Sequence, residues 1–147
     1  MAFSYDYPRP CVTVDCVVLR STQNGFEILL IQRGQQPYQG MWAFPGGFIN
    51  MDEDLVESAH RELYEETNIS GVALTQFKAY GAVHRDPRHR TITVVFTALI
   101  PNGVHCKAVA GDDARMAAWF QLAQLPELAF DHGQILNDVL RHLRISY

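Results

Sequence analysis

Glu62, Glu65 and Glu66 lie three and four residues apart in a segment of helical periodicity, so their carboxylates project from one side of the same turns. Like charges crowded in this way repel, and the partial negative charge of a helix C-terminus adds to the cost. A cation removes that cost, and donors that are all oxygen suit hard ions such as Mg²⁺ or Mn²⁺. The plain alternative is a solvated acidic face, which is what most helical glutamate clusters are. A bound cation polarises a phosphoryl oxygen, lowers the pKa of coordinated water and spreads the charge of a leaving phosphate. Those are the needs of pyrophosphate hydrolysis, a reaction that asks a protein mainly for positioning and electrostatic stabilisation. No covalent nucleophile is evident.

The three glutamates belong to a longer pattern: Gly47, Glu53, Arg61-Glu62-Leu63, Glu65-Glu66 and Ile69. It resembles the Nudix box, Gly-x5-Glu-x7-Arg-Glu-apolar-x-Glu-Glu-x-Gly-apolar. Every specified position matches except the final glycine, which is Asn68 here, and asparagine also tolerates a left-handed backbone. The resemblance implies an α/β fold, an α/β/α sandwich with a mixed sheet and a loop-helix-loop catalytic motif. It implies metal held by Glu62, Glu65 or Glu66 and the backbone carbonyl of Gly46. It also implies a catalytic group of Glu53, Arg61, Glu62 and Glu65, in which Arg61 pairs with Glu53 and orients the catalytic glutamate. Which glutamate activates water differs between branches of the family and stays open. A guanidinium is suited to the pairing, since it can fix a carboxylate through two parallel hydrogen bonds.

Outside the box, Tyr38, Trp42, Phe44 and Phe48 surround the loop that leads into it. Phe44 reads as core, whereas Trp42 is divided between core packing and stacking on a base. Arg33 closes a strand before this loop, where it reaches a phosphate or lies on the surface. The run from His84 to Arg90 concentrates arginines in a connection between strands, and Arg85 or Arg88 is expected to face phosphate or ribose. Asp112-Asp113 reads as a turn, with a carboxylate supplied to the site by Asp113 as the alternative. Tyr7-Pro8-Arg9-Pro10, Arg85-Asp86-Pro87-Arg88, Gly111-Asp112-Asp113-Ala114 and Ala129-Phe130-Asp131-His132 resemble the ADP-ribose pyrophosphatase branch. That branch implies AMP and ribose 5-phosphate as products and a homodimer.

The elements that must position these residues follow from periodicity. Residues 11–19 are valine-rich and read as a buried strand, paired as a hairpin with 26–31 through the turn Asn24-Gly25. Residues 34–47, with Pro, Trp and four glycines, read as an irregular loop. Asp54 and Glu57 form a capping box that opens a helix, and Asn68 ends it. Residues 72–82, 91–100 and 117–120 read as strands, and 130–143 as an amphipathic helix.

A chain of 147 residues with 48% apolar content is one domain, spanning 1–147. A formal charge of −4 without a basic stripe argues against long nucleic acid as a partner. No apolar run approaches the roughly 20 residues that span a bilayer, and the N-terminus lacks the form of a secretory signal. A cytoplasmic setting is therefore expected, and the resemblance implies a small nucleoside diphosphate substrate. Cys11, Cys16 and Cys106 lack zinc-ligand spacing and read as buried thiols, with Cys11 and Cys16 on opposite faces of their strand. No two histidines stand at the spacing of a helical zinc site. Two rivals share the same box: a house-cleaning hydrolase of nucleoside triphosphates and a non-catalytic sensor of ADP-ribose or NAD metabolites. The sensor regulators of similar sequence carry a DNA-binding winged helix and run well past this length. That, with the full set of carboxylates, leads us to expect an enzyme.

Overall fold

The computed structural model describes residues 2–102, 107–111 and 114–147, apart from the side chain of Arg115. Cys106, Asp112 and Asp113 lie outside the described residues. In chain order the elements are β1 (Cys11–Thr22), β2 (Gly25–Arg33), β3 (Trp42–Ala43), β4 (Gly46–Phe48) and α1 (Leu55–Thr67). Then come β5 (Thr75–Tyr80), β6 (Thr91–Ile100), β7 (Ala114–Gln121), a 3-10 turn (Leu122–Gln124) and α2 (His132–Leu143). No helix among the described residues is long and apolar enough to cross a membrane.

The strands form one mixed sheet ordered β3-β2-β1-β6-β5, with β7 also on β2 and β4 also on β1. β1 and β6 run parallel in register from Cys11–Thr91 to Arg20–Ile100, and every other pairing is antiparallel. On its other edge β1 changes partner: Leu19 to Thr22 pair with β2, whereas Thr13 to Asp15 pair with β4. The strand therefore carries the hairpin at one end and the loop of the box at the other.

Alternation along β1 builds two core layers, because successive side chains leave opposite faces. Val14, Cys16 and Val18 pack with Ala59 and Leu63 of α1. Val17 and Leu19 pack with Ile135, Leu136, Val139 and Leu140 of α2. A helix on each face of a mixed sheet is the α/β/α sandwich that the resemblance implied. Cys16 is buried as expected, but Cys11, at the start of its strand, is half-exposed.

Several predicted boundaries differ from the structure: β5 is shorter than 72–82, while β1, β2 and β7 run beyond 11–19, 26–31 and 117–120. Residues 34–47 are not wholly irregular, since β3 pairs with β2 and Gly46 opens β4. These are short edge pairings without periodicity of their own. The last helix begins at His132 rather than at residue 130, because Phe130 takes the left-handed backbone, with φ of 52°. The ends of α1 are as read from sequence. Asp54 is the N-cap, with its amide donating to Glu57 Oε2 at 3.1 Å. Asn68 closes the helix at φ 62°.

Because a left-handed backbone costs a side chain about 1–2 kcal/mol and costs glycine nothing, Asn68→Gly should leave stability equal or slightly higher. Asn68→Ala should lower it by roughly 1 kcal/mol. Urea unfolding of the three proteins measures this, and equal midpoints for Ala and Asn would contradict it.

Candidate active site

The box residues meet in a cleft of about 380 Å³ whose lining includes Asp15, Arg33, Gly46, Gly47, Phe48, Arg61, Glu62, Glu65, Glu66, Arg85, Arg88, Phe130 and His132. That size suits a small ligand. Carboxylates from β1 and α1 form one end. Arginines from the end of β2 and from the loop before β6 form the other.

Arg61 organises the acidic end. Its Nε lies 3.0 and 2.7 Å from the two Glu53 oxygens, its Nη1 reaches Glu62 at 2.8 Å and Glu65 at 3.2 Å, and its Nη2 donates to the Phe48 carbonyl at 3.1 Å. The Arg61–Glu53 pair is thus present, although not as the parallel fork expected. Both oxygens share one nitrogen, which leaves the two others for the remaining contacts. Hydrogen bonding from Arg61, then from the Ser58 hydroxyl and the Asn50 amide, holds the Glu53 carboxyl down to about 2 against the opposing pull of burial. Gly47 admits this arrangement, since a methyl group there would stand 2.7 Å from the Glu62 carboxylate.

Glu66 is held differently. Its Oε1 accepts the Gly46 amide at 2.7 Å. In an antiparallel ladder alternate residues turn both backbone groups away from the partner strand. The Gly46 amide and the Phe48 carbonyl, gripped by α1 side chains, are such groups. Burial, with the nearby charges of Glu62 and Asp15, pushes Glu66 up to about 8 despite that amide and Arg33. Backbone amides of Val109 and Gly111 also cap the Thr67 and Glu66 carbonyls at 2.9 and 3.2 Å, supplying donors that the helix end lacks.

Among the described residues, no three His, Cys, Asp or Glu side chains stand close enough to enclose an ion as they lie. Arg61 draws Glu62 and Glu65 to itself, and Gly46 draws Glu66. The donor chemistry nevertheless suits a hard divalent cation. Every candidate ligand is oxygen, and the carboxyl pushed furthest from its ordinary value is one that a nearby positive charge would relieve.

The arginines divide by partner. Arg85 is nearly buried and spends Nε and Nη2 on Asp131, the N-cap of α2, at 2.9 and 2.7 Å. Arg88 pairs with buried Asp86 through two nitrogens at 3.1 and 2.8 Å. Arg33 bonds the Pro37 carbonyl at 2.7 Å and has no carboxylate partner among the described residues. Arg33 and Arg88 approach the same ring, with guanidinium carbons 4.9 and 5.9 Å from the centre of Phe130. Burial and the like charge of Arg88 lower the pKa of Arg33.

Trp42 does not line the cleft. Alternation in β3 sends Ala43 to the cleft and Trp42 to the α2 layer, edge-to-face with Phe120 at 4.6 Å. Core packing is therefore its role here, as it is for Phe44. Among the lining residues given no role from sequence are Asp15 and His132, the latter quoted only within the Ala129-Phe130-Asp131-His132 resemblance. Asp15 is buried, accepts the Thr93 hydroxyl at 2.5 Å and continues the α2-facing series of β1. His132 is buried too. Its Nδ1 lies 3.1 Å from the Phe44 nitrogen, its Nε2 is 3.7 Å from Asp15, and its ring stacks on Phe44 at 4.3 Å. The signal for Asp15 was a lone acid in an otherwise apolar strand. His132 carried none of its own.

The NUDIX domain family model matches residues 9–143. The chain is 38% identical over 135 residues to an ADP-ribose pyrophosphatase of Methanocaldococcus jannaschii, covering 92% of this chain and 76% of that protein. It is 36% identical over 140 residues to the ADPR responsive transcriptional repressor NtrR of Acinetobacter baylyi, covering 94% of this chain and 56% of the repressor. Among solved structures, the NUDIX domain of Shewanella oneidensis NrtR complexed with ADP ribose matches with a TM-score of 0.87 at 31% identity, covering 95% of this chain and 94% of that one. The chain belongs to the Nudix family, in the class of Nudix pyrophosphohydrolases.

Raising the Glu66 carboxyl from its ordinary 4.5 to about 8 sets the sign of a pH effect on the metal-free protein. Below pH 4.5 both folded and unfolded chains hold the proton. Between there and about pH 8 only the folded chain does, so stability falls as pH rises through that window. Glu66→Gln lacks this slope. In chelator its Tm should gain on the wild type from pH 5 to pH 8 by several degrees, on the order of 5 °C. A constant gap would show that Glu66 ionises as freely as an exposed glutamate.

Proposed function

We propose that this chain hydrolyses the pyrophosphate of a nucleoside diphosphate derivative, with ADP-ribose as substrate and AMP and ribose 5-phosphate as products. The observation that carries this reading is one cleft that gathers the carboxylates of Asp15 and α1 together with Arg33, Arg88 and the Phe130 ring. A diphosphate joining two sugars has negative charge at its centre and neutral, ring-bearing groups at both ends. Likeness to an ADP-ribose pyrophosphatase and to a domain complexed with ADP ribose supports the same choice.

In this reading Glu62, Glu65, Glu66 and the Gly46 carbonyl hold Mg²⁺ or Mn²⁺, which when bound supplies charge stabilisation and an acidified water. The chain's own groups do the rest. Arg61 releases Glu62 and Glu65 to the ion while keeping Glu53, the partner it holds through Nε. Arg33 and Arg88 take the phosphate or ribose distant from the ion, with Phe130 beneath them. Arg85 acts through Asp131, because its two bonds there already fix it. The homodimer implied by the resemblance, and the cytoplasmic setting expected from the sequence, go with this proposal.

A second reading, the sensor, is favoured by the likeness to the repressor. It predicts ADP-ribose binding without turnover, and a nucleic-acid partner if the functional protein extends beyond this chain.

The deciding experiment is a turnover screen of ADP-ribose, NADH, diadenosine polyphosphates and nucleoside triphosphates with Mg²⁺ or Mn²⁺. The expected result is a higher kcat/KM for ADP-ribose than for any triphosphate, and none in excess chelator. A triphosphate preference would move the assignment to the house-cleaning rival, and tight binding without products would favour the sensor.

Glu62→Gln should cost roughly 10²–10⁴-fold in kcat if Glu62 is the base, with an unchanged circular dichroism spectrum. Wild-type kinetics in this variant would return Glu62 to a solvated face.

A further inference from the structure

Three consecutive residues lead into the box, and each is gripped by a different element. The Phe44 amide donates to His132 Nδ1 of α2 at 3.1 Å, the Pro45 carbonyl accepts from the Cys16 amide of β1 at 2.8 Å, and the Gly46 amide donates to Glu66 of α1 at 2.7 Å. Only glycine fits at position 46, since a methyl group there would collide with the Val14 carbonyl and with Asp15. Phe44 stands two residues before Gly46, so its anchor on α2 bears on how the chain enters β4 and meets Glu66.

The first of these grips also fixes the chemical form of His132. An imidazole nitrogen that accepts an N–H carries no proton, so the ring is neutral with its hydrogen on Nε2. That hydrogen is on the nitrogen facing Asp15 Oδ1 at 3.7 Å, while the other Asp15 oxygen is taken by Thr93. Stacking on Phe44 at an interplanar angle of 10° sets the plane of the ring. Burial, which lowers the His132 pKa against the opposing charges of Asp15 and Asp131, agrees with the neutral form.

We propose that His132 is a positioning residue: as the Nε2–H tautomer it holds the Phe44 amide, and through Phe44-Pro45-Gly46 it sets where the Gly46 backbone meets Glu66. Helix α2, which supplies none of the box residues, thereby governs the geometry of the ion-binding end. Loss of the acceptor leaves a buried amide unpaired, and the loop relaxes to satisfy it. The part that concerns turnover rests on the pyrophosphohydrolase reading given above, whereas the tautomer and the ion affinity do not.

The test begins with nitrogen-15 NMR of the histidine rings at neutral pH, in which His132 should show a bare Nδ1 and a protonated Nε2. It continues with Mn²⁺ binding, followed by electron paramagnetic resonance, and with kinetics. His132→Leu should weaken Mn²⁺ binding and lower kcat, each by roughly 10- to 100-fold, with KM moved far less. In His132→Asn the amide oxygen falls near the position of Nδ1 and should restore most of both. His132→Gln, whose amide extends further, should restore little. If the Leu variant does not fold, the Asn and Gln pair decides alone. A proton on Nδ1 would overturn the proposal, as would variants that lose thermal stability while keeping wild-type Mn²⁺ affinity. Equal behaviour of Asn and Gln would overturn it too. A wild-type protein that turns nothing over would count against the enzymatic reading only, because the NMR and Mn²⁺ results stand without it.

Discussion

The acidic end of the cleft depends on Arg61, because one guanidinium answers three carboxylates and a carbonyl at once. Without it, Glu53, Glu62 and Glu65 would repel one another, the last two toward the C-terminus of a helix whose dipole already disfavours them. Geometry makes the sharing uneven. Nε engages both oxygens of Glu53, whereas Nη1 is divided between Glu62 and Glu65. The firmly held acid is thus the one furthest along the chain from the glutamate cluster, and the two loosely held ones are the candidates for an ion. Glu66 is held instead by the Gly46 amide, and burial raises its pKa.

The scaffold explains why so many groups converge. β1 pairs with β6 along ten residues, which fixes its position in the sheet, and its other edge is then split between β2 and β4. The split brings the box loop against the middle of the sheet, where α1 covers one face and α2 the other. Asp15 lies where these meet. It pairs in register with Gly46, shares the face of β1 that looks toward α2, and touches His132 there. One strand position therefore faces both the motif that carries the chemistry and the helix that closes the fold.

What could be read from sequence was what is decided within a few residues. The capping box at Asp54, the left-handed stop at Asn68 and the strand at β6 depend on local propensity and period, and each is where the pattern puts it. The box itself was legible because its spacing is that of one helix and the loop before it. Trp42 was not legible, because which face of a two-residue strand turns inward depends on the register with β2. The partners of Arg85 and His132 were hidden for the same reason. Asp131 is 46 residues from Arg85, and Phe44 is 88 residues from His132. Both contacts exist only once α2 has docked.

The same distinction divides the site into local and long-range parts. Residues 54–68 can form their helix and Arg61 can find Glu53 from local contacts, since these groups are eight residues apart. Gly46 meets Glu66 across 20 residues and requires β4 to have paired with β1. The arginine end is the least local, because Arg33, Arg88 and Phe130 belong to three separate segments and meet over one ring. Phe130 reaches that position in a left-handed backbone that disfavours a bulky side chain. The bidentate Arg85–Asp131 pair one residue later and the His132–Phe44 contact two residues later offset the strain. The basic end of the cleft is in this sense a tertiary feature, held by α2. The Arg61 cluster with Glu53, Glu62 and Glu65 is a local one, written into α1 and the loop before it.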